Sequence, residues 1–263
     1  RGARRVRRGA GTGELSGPAD VTLSYLGLDD VVRTSRLHFD PRPTRLAVNS
    51  AVYHLELAPQ QATAIFVAVS CNKPAAETAM PFYRGLLAHR REMRRSWCGA
   101  TSIETSNNIF NEVLCQAMAD LNILMTETPH GRYSYAGIPW YSTTFGRDGL
   151  ITALQMLWID PGVARGVLRR LAAFQAKAVD PRADAAPGKI LHEMRGGEMA
   201  ALHEVPFAQY YGSVDSTPLF VLLAGLYFER TGDDATLVEI WPAIELALSW
   251  VDGAPDPGRD GFV

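Results

Sequence analysis

The sequence predicts an α+β chain in which an N-terminal antiparallel β-sandwich is followed by part of a toroid of paired helices. Three observations lead there. From Val21 to about Cys71 apolar residues recur with a period of two, broken by turn-forming Gly, Pro, Asn and Asp. From Phe82 onward they recur at i, i+3, i+4 and i+7. The helices are joined alternately by tight turns and by long loops that hold the unusual residues, so the long loops open at one end. The domains read as 1–79, the sandwich; 80–106, a helical linker; and 107–263, the helical domain.

In the first domain Ala51, Tyr53, Leu55 and Leu57 alternate with Val52, His54 and Glu56, and Ala62 to Ser70 is a short apolar run of β-formers. Gly27, Asp29-Asp30, Asp40-Pro41-Arg42-Pro43, Asn49-Ser50 and Pro59 punctuate these runs as turns. His38 and His54 fall within the alternation and read as structural. Phe82 to Trp97 predicts a helix with a basic, solvated face. Thr101 to Asn108 supplies caps for a helix with the stripe Phe110, Val113, Leu114, Ala117, Leu121 and Leu124, stopped by Pro129 and Gly131. Gly149 to Trp158 is an apolar helix. Asp160-Pro161-Gly162 then gives an N-cap and a first-turn proline to a helix that buries Val163, Val167, Leu168, Leu171 and Phe174. Thr217 to Arg230 and Ala235 to Val251 complete the series, the last crossing Pro242.

With 47% apolar residues the chain is normal for a soluble core, and a net charge of -2 gives no electrostatic reason to expect nucleic acid or an anionic membrane as partner. No apolar run reaches the ~20 residues of a membrane helix. The opening RGARRVRR is followed by GAGTGELSGPAD where an export signal needs its apolar region, so it reads as a solvated or strand-edge terminus. Cys71, Cys98 and Cys115 lack metal-ligand spacing and leave an odd one under any pairing, which points to a reduced, cytoplasmic compartment. Without an initiating Met, and stopping at Asp260-Gly261-Phe262-Val263, the chain reads as a piece of something longer.

Two polar knots mark a site. In YAGIPWYSTTFGRDGLITA, Trp140, Tyr141 and Phe145 lead into Arg147-Asp148; in YYGSVDSTPLF, Tyr210 and Tyr211 lead into Asp215. Both knots precede an apolar helical run. Aromatic faces with a few carboxylates and one guanidinium suit a sugar, whose ring stacks while its hydroxyls demand donors and acceptors. Asp215 is the candidate proton donor, because partial burial among aromatics raises a carboxyl pKa. The competing role is helix capping, which Asp favours. Arg147 would keep Asp148 ionised, fit to grip hydroxyls. The segment from Asp180 to Gly212 has little periodicity and holds His192, Glu193, Arg195 and Glu198, assigned to substrate contact. Its HEMRGGEMAALHE invites a metal reading, but Gly196 stands where a zinc-protease helix needs its second His, and no metal is assigned.

AGIPWYSTTFGRDGLITALQ, PGKILHEMRGGEMA, VPFAQYYGSVDSTPLF and DGFV together resemble the bacterial glycogen-debranching, amylo-α-1,6-glucosidase-like family, and the strands before them resemble its N-terminal β domain. The resemblance implies an (α/α)6 toroid, related to glucoamylases and trehalases, behind the β-sandwich. It implies an α-glucan substrate and hydrolysis of α-1,6-linked glucose at branch stubs with inversion; no feature of the sequence requires a cofactor. By resemblance, Arg147 and Asp148 grip the terminal glucose and Asp215 is the general acid. In such toroids the general base lies in a late helical loop, so this chain is expected to lack it and to be inactive alone. Two alternatives stay open: a sister α-glucosidase of trehalase-like or oligosaccharide-trimming type, and a non-catalytic α-glucan-binding module.

Overall fold

A computed structural model describes residues 8–72, 82–98, 101–205 and 208–253. It divides into two compact units, Ala3–Arg95 and, with Arg1–Gly2, Ser96–Val263.

In the first unit β1 (Ala10–Gly17), β2 (Asp20–Leu26), β3 (Val32–Asp40) and β6 (Phe66–Cys71) form one antiparallel sheet in the order β1-β2-β3-β6. A separate ribbon pairs β4 (Arg45–Ala47) with β5 (Ser50–Val52). Of the expected sandwich, the described residues show one antiparallel four-stranded sheet and a separate two-stranded ribbon. The alternation from Ala51 to Leu57 makes a strand only to Val52. Beyond it the chain is held by side-chain bonds, Tyr53 Oη donating to Pro41 O at 2.9 Å and Thr44 Oγ1 accepting from His54 N at 3.1 Å, while Leu55 and Leu57 are exposed. Alternation without a neighbouring strand does not make a ladder. Conversely, glycine-rich β1 has little apolar signal, yet its backbone pairs with β2 from Ala10↔Leu26 to Leu15↔Val21. His38 has the structural role expected, its Nδ1 lying 2.8 Å from Asp20 Oδ1 directly across the β2–β3 ladder. Helix α1 (Phe82–Cys98) places Phe82 on Phe66, ring centroids 4.5 Å apart, and the division between the units falls within this helix, inside the 80–106 stretch. The segments RGARRVR and DGFV lie outside the described residues.

The second unit opens with α2 (Asn108–Leu124), capped by Asn107, whose side chain accepts from Phe110 N. Its stripe forms a helix but buries nothing: Phe110 and Val113 are exposed, because period sets the helix and neighbours set burial. A hairpin of β7 (Met125–Thr128) and β8 (Gly131–Ser134) leads to α3 (Gly146–Met156) and α4 (Pro161–Ala173). Asp160 caps α4 as expected, accepting from Gly162 N with Pro161 in the first turn. After a long connection come α6 (Ser216–Thr231) and α7 (Asp234–Gly253), which runs through Pro242. Val163, Val167, Leu168 and Leu171 of α4 are fully buried, and pack with Leu150, Phe220, Leu223 and Ile244 of α3, α6 and α7 into one core. The connection, expected to be irregular, contains β9 (Glu193–Met194), the one-turn α5 (Glu198–Ala201) and β10 (Gln209–Tyr210). Among the described residues no helix is long and apolar enough to cross a membrane.

Candidate functional site

The site is built where three separate stretches meet edge to edge. β9 pairs with β10, Glu193 opposite Tyr210 and Met194 opposite Gln209, and on its other side bridges Phe145. Gly146 N donates to His192 O at 2.9 Å, and Met194 N to Thr144 O at 3.2 Å. Both polar knots are thus fastened to the HEMR segment by backbone bonds. The joint requires glycine: a Cβ on Gly146 would stand 1.9 Å from Leu191 O. Below it Tyr133 is fully buried, its hydroxyl donating to Phe145 O at 2.7 Å and its ring against Gly149. Desolvation pushes the Tyr133 hydroxyl far above its ordinary value.

A buried cation braces the same joint. Arg170 of α4 is 8% exposed, donates from Nε to Thr144 Oγ1 at 2.7 Å, and lies 5.7 and 5.2 Å from the Tyr133 and Phe174 ring centres. Sequence reading missed Tyr133, Gly146 and Arg170. A guanidinium on the apolar face of α4 is the signal that could have found one of them, since a buried charge must find partners.

On this support the polar groups gather. Helix α3 begins at Gly146, ahead of the expected Gly149, so Arg147 and Asp148 lie in its first turn, both exposed. Arg147 reaches across 68 residues of sequence to Asp215, Nη1 to Oδ2 3.1 Å. Asp215 stands at the N-cap position of α6 but its side chain makes no capping bond; Ser213 Oγ donates to its Oδ1. The capping role is therefore set aside. The expected raised pKa is also corrected: burial pushes the Asp215 carboxyl up, but the Ser213 hydroxyl and the Arg147 guanidinium outweigh it and hold it below the ordinary aspartate range.

Beside this pair His192 lies edge-on between Phe145 and Tyr210, ring centres 6.3 and 5.9 Å away, its Nδ1 enclosed without a hydrogen-bond partner among the described residues. Glu193, 9% exposed, accepts from Arg195 Nε at 2.5 Å, and Arg195 also donates to Trp140 O and lies over the rings of Tyr141 and Phe145. This carries the exposed Trp140 and Tyr141 next to the HEMR segment. Glu198 opens α5. Tyr211 faces the core instead: it is 5% exposed, its hydroxyl donates to Phe174 O at 2.7 Å, and burial pushes that hydroxyl up. No group of three His, Cys, Asp or Glu among the described residues converges as for a metal ion.

Residues 1–68 match the family model for the N-terminal domain of (some) glycogen debranching enzymes. The likeness is to that N-terminal segment, residues 1–68. It covers the sheet up to Ala68 of β6 and ends before the helical unit that carries the site. No curated protein matches the chain.

Proposed function

We propose that this chain carries the sugar-gripping and proton-donating part of a glycoside hydrolase that removes α-1,6-linked glucose from glycogen or related α-glucan branch stubs, in a cytoplasmic setting. The observation that carries the reading is the meeting of Arg147 and Asp215 on a joint that also holds His192, Glu193, Arg195 and Tyr210, in a chain whose first 68 residues match the N-terminal domain of some glycogen debranching enzymes. In this reading the helical unit is part of an (α/α)6 toroid. Arg147, Asp148 and the Arg195-braced aromatics Trp140 and Tyr141 take the terminal glucose, hydroxyls to the charged groups and ring face to the aromatic surface. Glucose hydroxyls draw Arg147 away from Asp215, and the released carboxyl takes a proton and gives it to the leaving oxygen. A second carboxylate, from residues other than those assigned here, activates water on the opposite face, with inversion.

The test is glucose release from 6-linked branch stubs, trehalose and maltose by the chain in its natural full-length context, beside Asp215→Asn. Release from branch stubs alone, lost in the variant while sugar binding persists, is the expected outcome. Release from trehalose or maltose instead makes it a sister glucosidase. Binding without release, unchanged by the substitution, makes it a binding module.

A further inference from the structure

The reading above requires Asp215 to give a proton, yet Ser213 and Arg147 favour its carboxylate form, and the bonds they make distinguish its two oxygens. Oδ1 accepts from Ser213 Oγ, and Oδ2 from Arg147 Nη1. Ser213 is itself directed. It is 7% exposed, Ser216 N donates to its Oγ at 3.3 Å, and Ser216 Oγ lies 2.8 Å from it. A hydroxyl has one proton. Since that of Ser213 goes to Asp215, Ser216 Oγ is the donor in the contact between the two serines. Ser213 thus receives two hydrogen bonds and gives one, so its proton has a fixed direction. Ser216 is fully buried at the first residue of α6, which anchors the chain of donors in the core.

We propose that Ser213 is a positioning residue for Asp215: its hydroxyl, directed by Ser216, commits Oδ1 as an acceptor and leaves Oδ2 as the oxygen that exchanges Arg147 for a proton. The proton comes from solvent as Arg147, which keeps its own charge, moves to the sugar. The acid then has one geometry, Oδ1 accepting from Ser213 and Oδ2–H donating outward. Among the described residues the charged group acting on this carboxylate is Arg147 from α3; its own segment contributes the uncharged Ser213 and the backbone. The catalytic meaning of the proposal rests on Asp215 being the proton donor, but its test does not.

The experiment is a titration of the Asp215 side-chain carboxyl by carbon NMR in the full chain, assigned with Asp215→Asn, in wild type, Ser213→Ala, Ser213→Cys, Ser213→Thr and Ser216→Ala. Wild type should titrate below the ordinary aspartate range. Ser213→Ala and the nearly isosteric Ser213→Cys, each lacking the strong donor, should titrate higher by roughly half to one unit. Ser213→Thr, which keeps the hydroxyl, should stay within a few tenths of wild type. Ser216→Ala should move Asp215 less than Ser213→Ala does. An unmoved titration in both folded Ser213 variants, or an equal shift in Ser216→Ala, would overturn the proposal and leave Ser213 as a brace of the helix start. Should Ser213→Ala fail to fold, Ser213→Cys and Ser213→Thr decide between the same outcomes. Absence of hydrolysis by the wild-type enzyme would count against the function proposed above and leave this result standing.

Discussion

Arg147 Nη1 and Asp215 Oδ2 lie 3.1 Å apart, joining the first turn of α3 to the start of α6. The two side chains are 49% and 44% exposed, so water screens the pair and it adds little to stability, about 0–1 kcal/mol. Its effect is on protonation. Arg147→Gln is expected to leave the melting temperature nearly unchanged while moving the Asp215 titration upward, toward the ordinary aspartate value, as read by carbon NMR. A lowered or unmoved titration would contradict the assigned cause.

The joint at Gly146 gives a stability prediction with a built-in control. Gly146→Ala sets a methyl group 1.9 Å from Leu191 O, a backbone atom that is itself part of the joint. It should destabilise the helical unit by about 2 kcal/mol or more in urea unfolding. Gly225, inside α6, has nothing within 4 Å of the same construction, and Gly225→Ala should stabilise by about 0.5–1 kcal/mol.

Arg170 supports the site from below, bonding Thr144 and resting between two rings. Arg170→Met keeps much of the apolar stem but leaves Thr144 Oγ1 without its partner, at a cost of about 1–3 kcal/mol. Amide hydrogen exchange should quicken at Gly146 and Met194, whose backbone bonds form the joint, before it quickens in α6. Uniform quickening across the unit would assign Arg170 to general packing.

Asp233 ties the α6–α7 turn. Its carboxylate accepts from Thr236 N at 3.1 Å, from Thr236 Oγ1 at 2.6 Å and from Tyr227 Oη at 2.6 Å. These bonds, those of Thr236 first, hold it at about 2. Because the folded value lies below the unfolded one, the contribution is present above about 4 and is lost as pH falls from about 4 through 2. Asp233→Ala should cost about 1 kcal/mol at neutral pH, the order of a lost N-cap, and the acid arm of the melting profile should flatten.

Much of the helical unit was legible because its signals are local. Asp160 and Pro161 announce α4, and Val163, Val167, Leu168 and Leu171 lie on one helical face that is in fact buried. The first unit was less so. β1 has almost no apolar pattern and exists because β2 offers it a hydrogen-bonding edge, whereas Leu55 and Leu57 have the pattern and no such edge. The same rule explains α2, whose stripe is periodic but not buried. Of the site, the sequence marked residue types that bind sugars and the two knots that hold them. It could not tell that Arg147 would turn from its neighbour Asp148 to Asp215, that Tyr211 would enter the core, or that Asp215 would be held as a carboxylate.

The sequence by itself determined what depends on adjacent residues: helix periods, caps, and the supply of aromatic and charged groups at the starts of α3 and α6. Only the tertiary structure decided which charges meet. Partners 68 residues apart are chosen by how β9 is stitched to Phe145 on one side and Tyr210 on the other, and the protonation of a half-exposed carboxyl follows from the donors that this stitching brings to it.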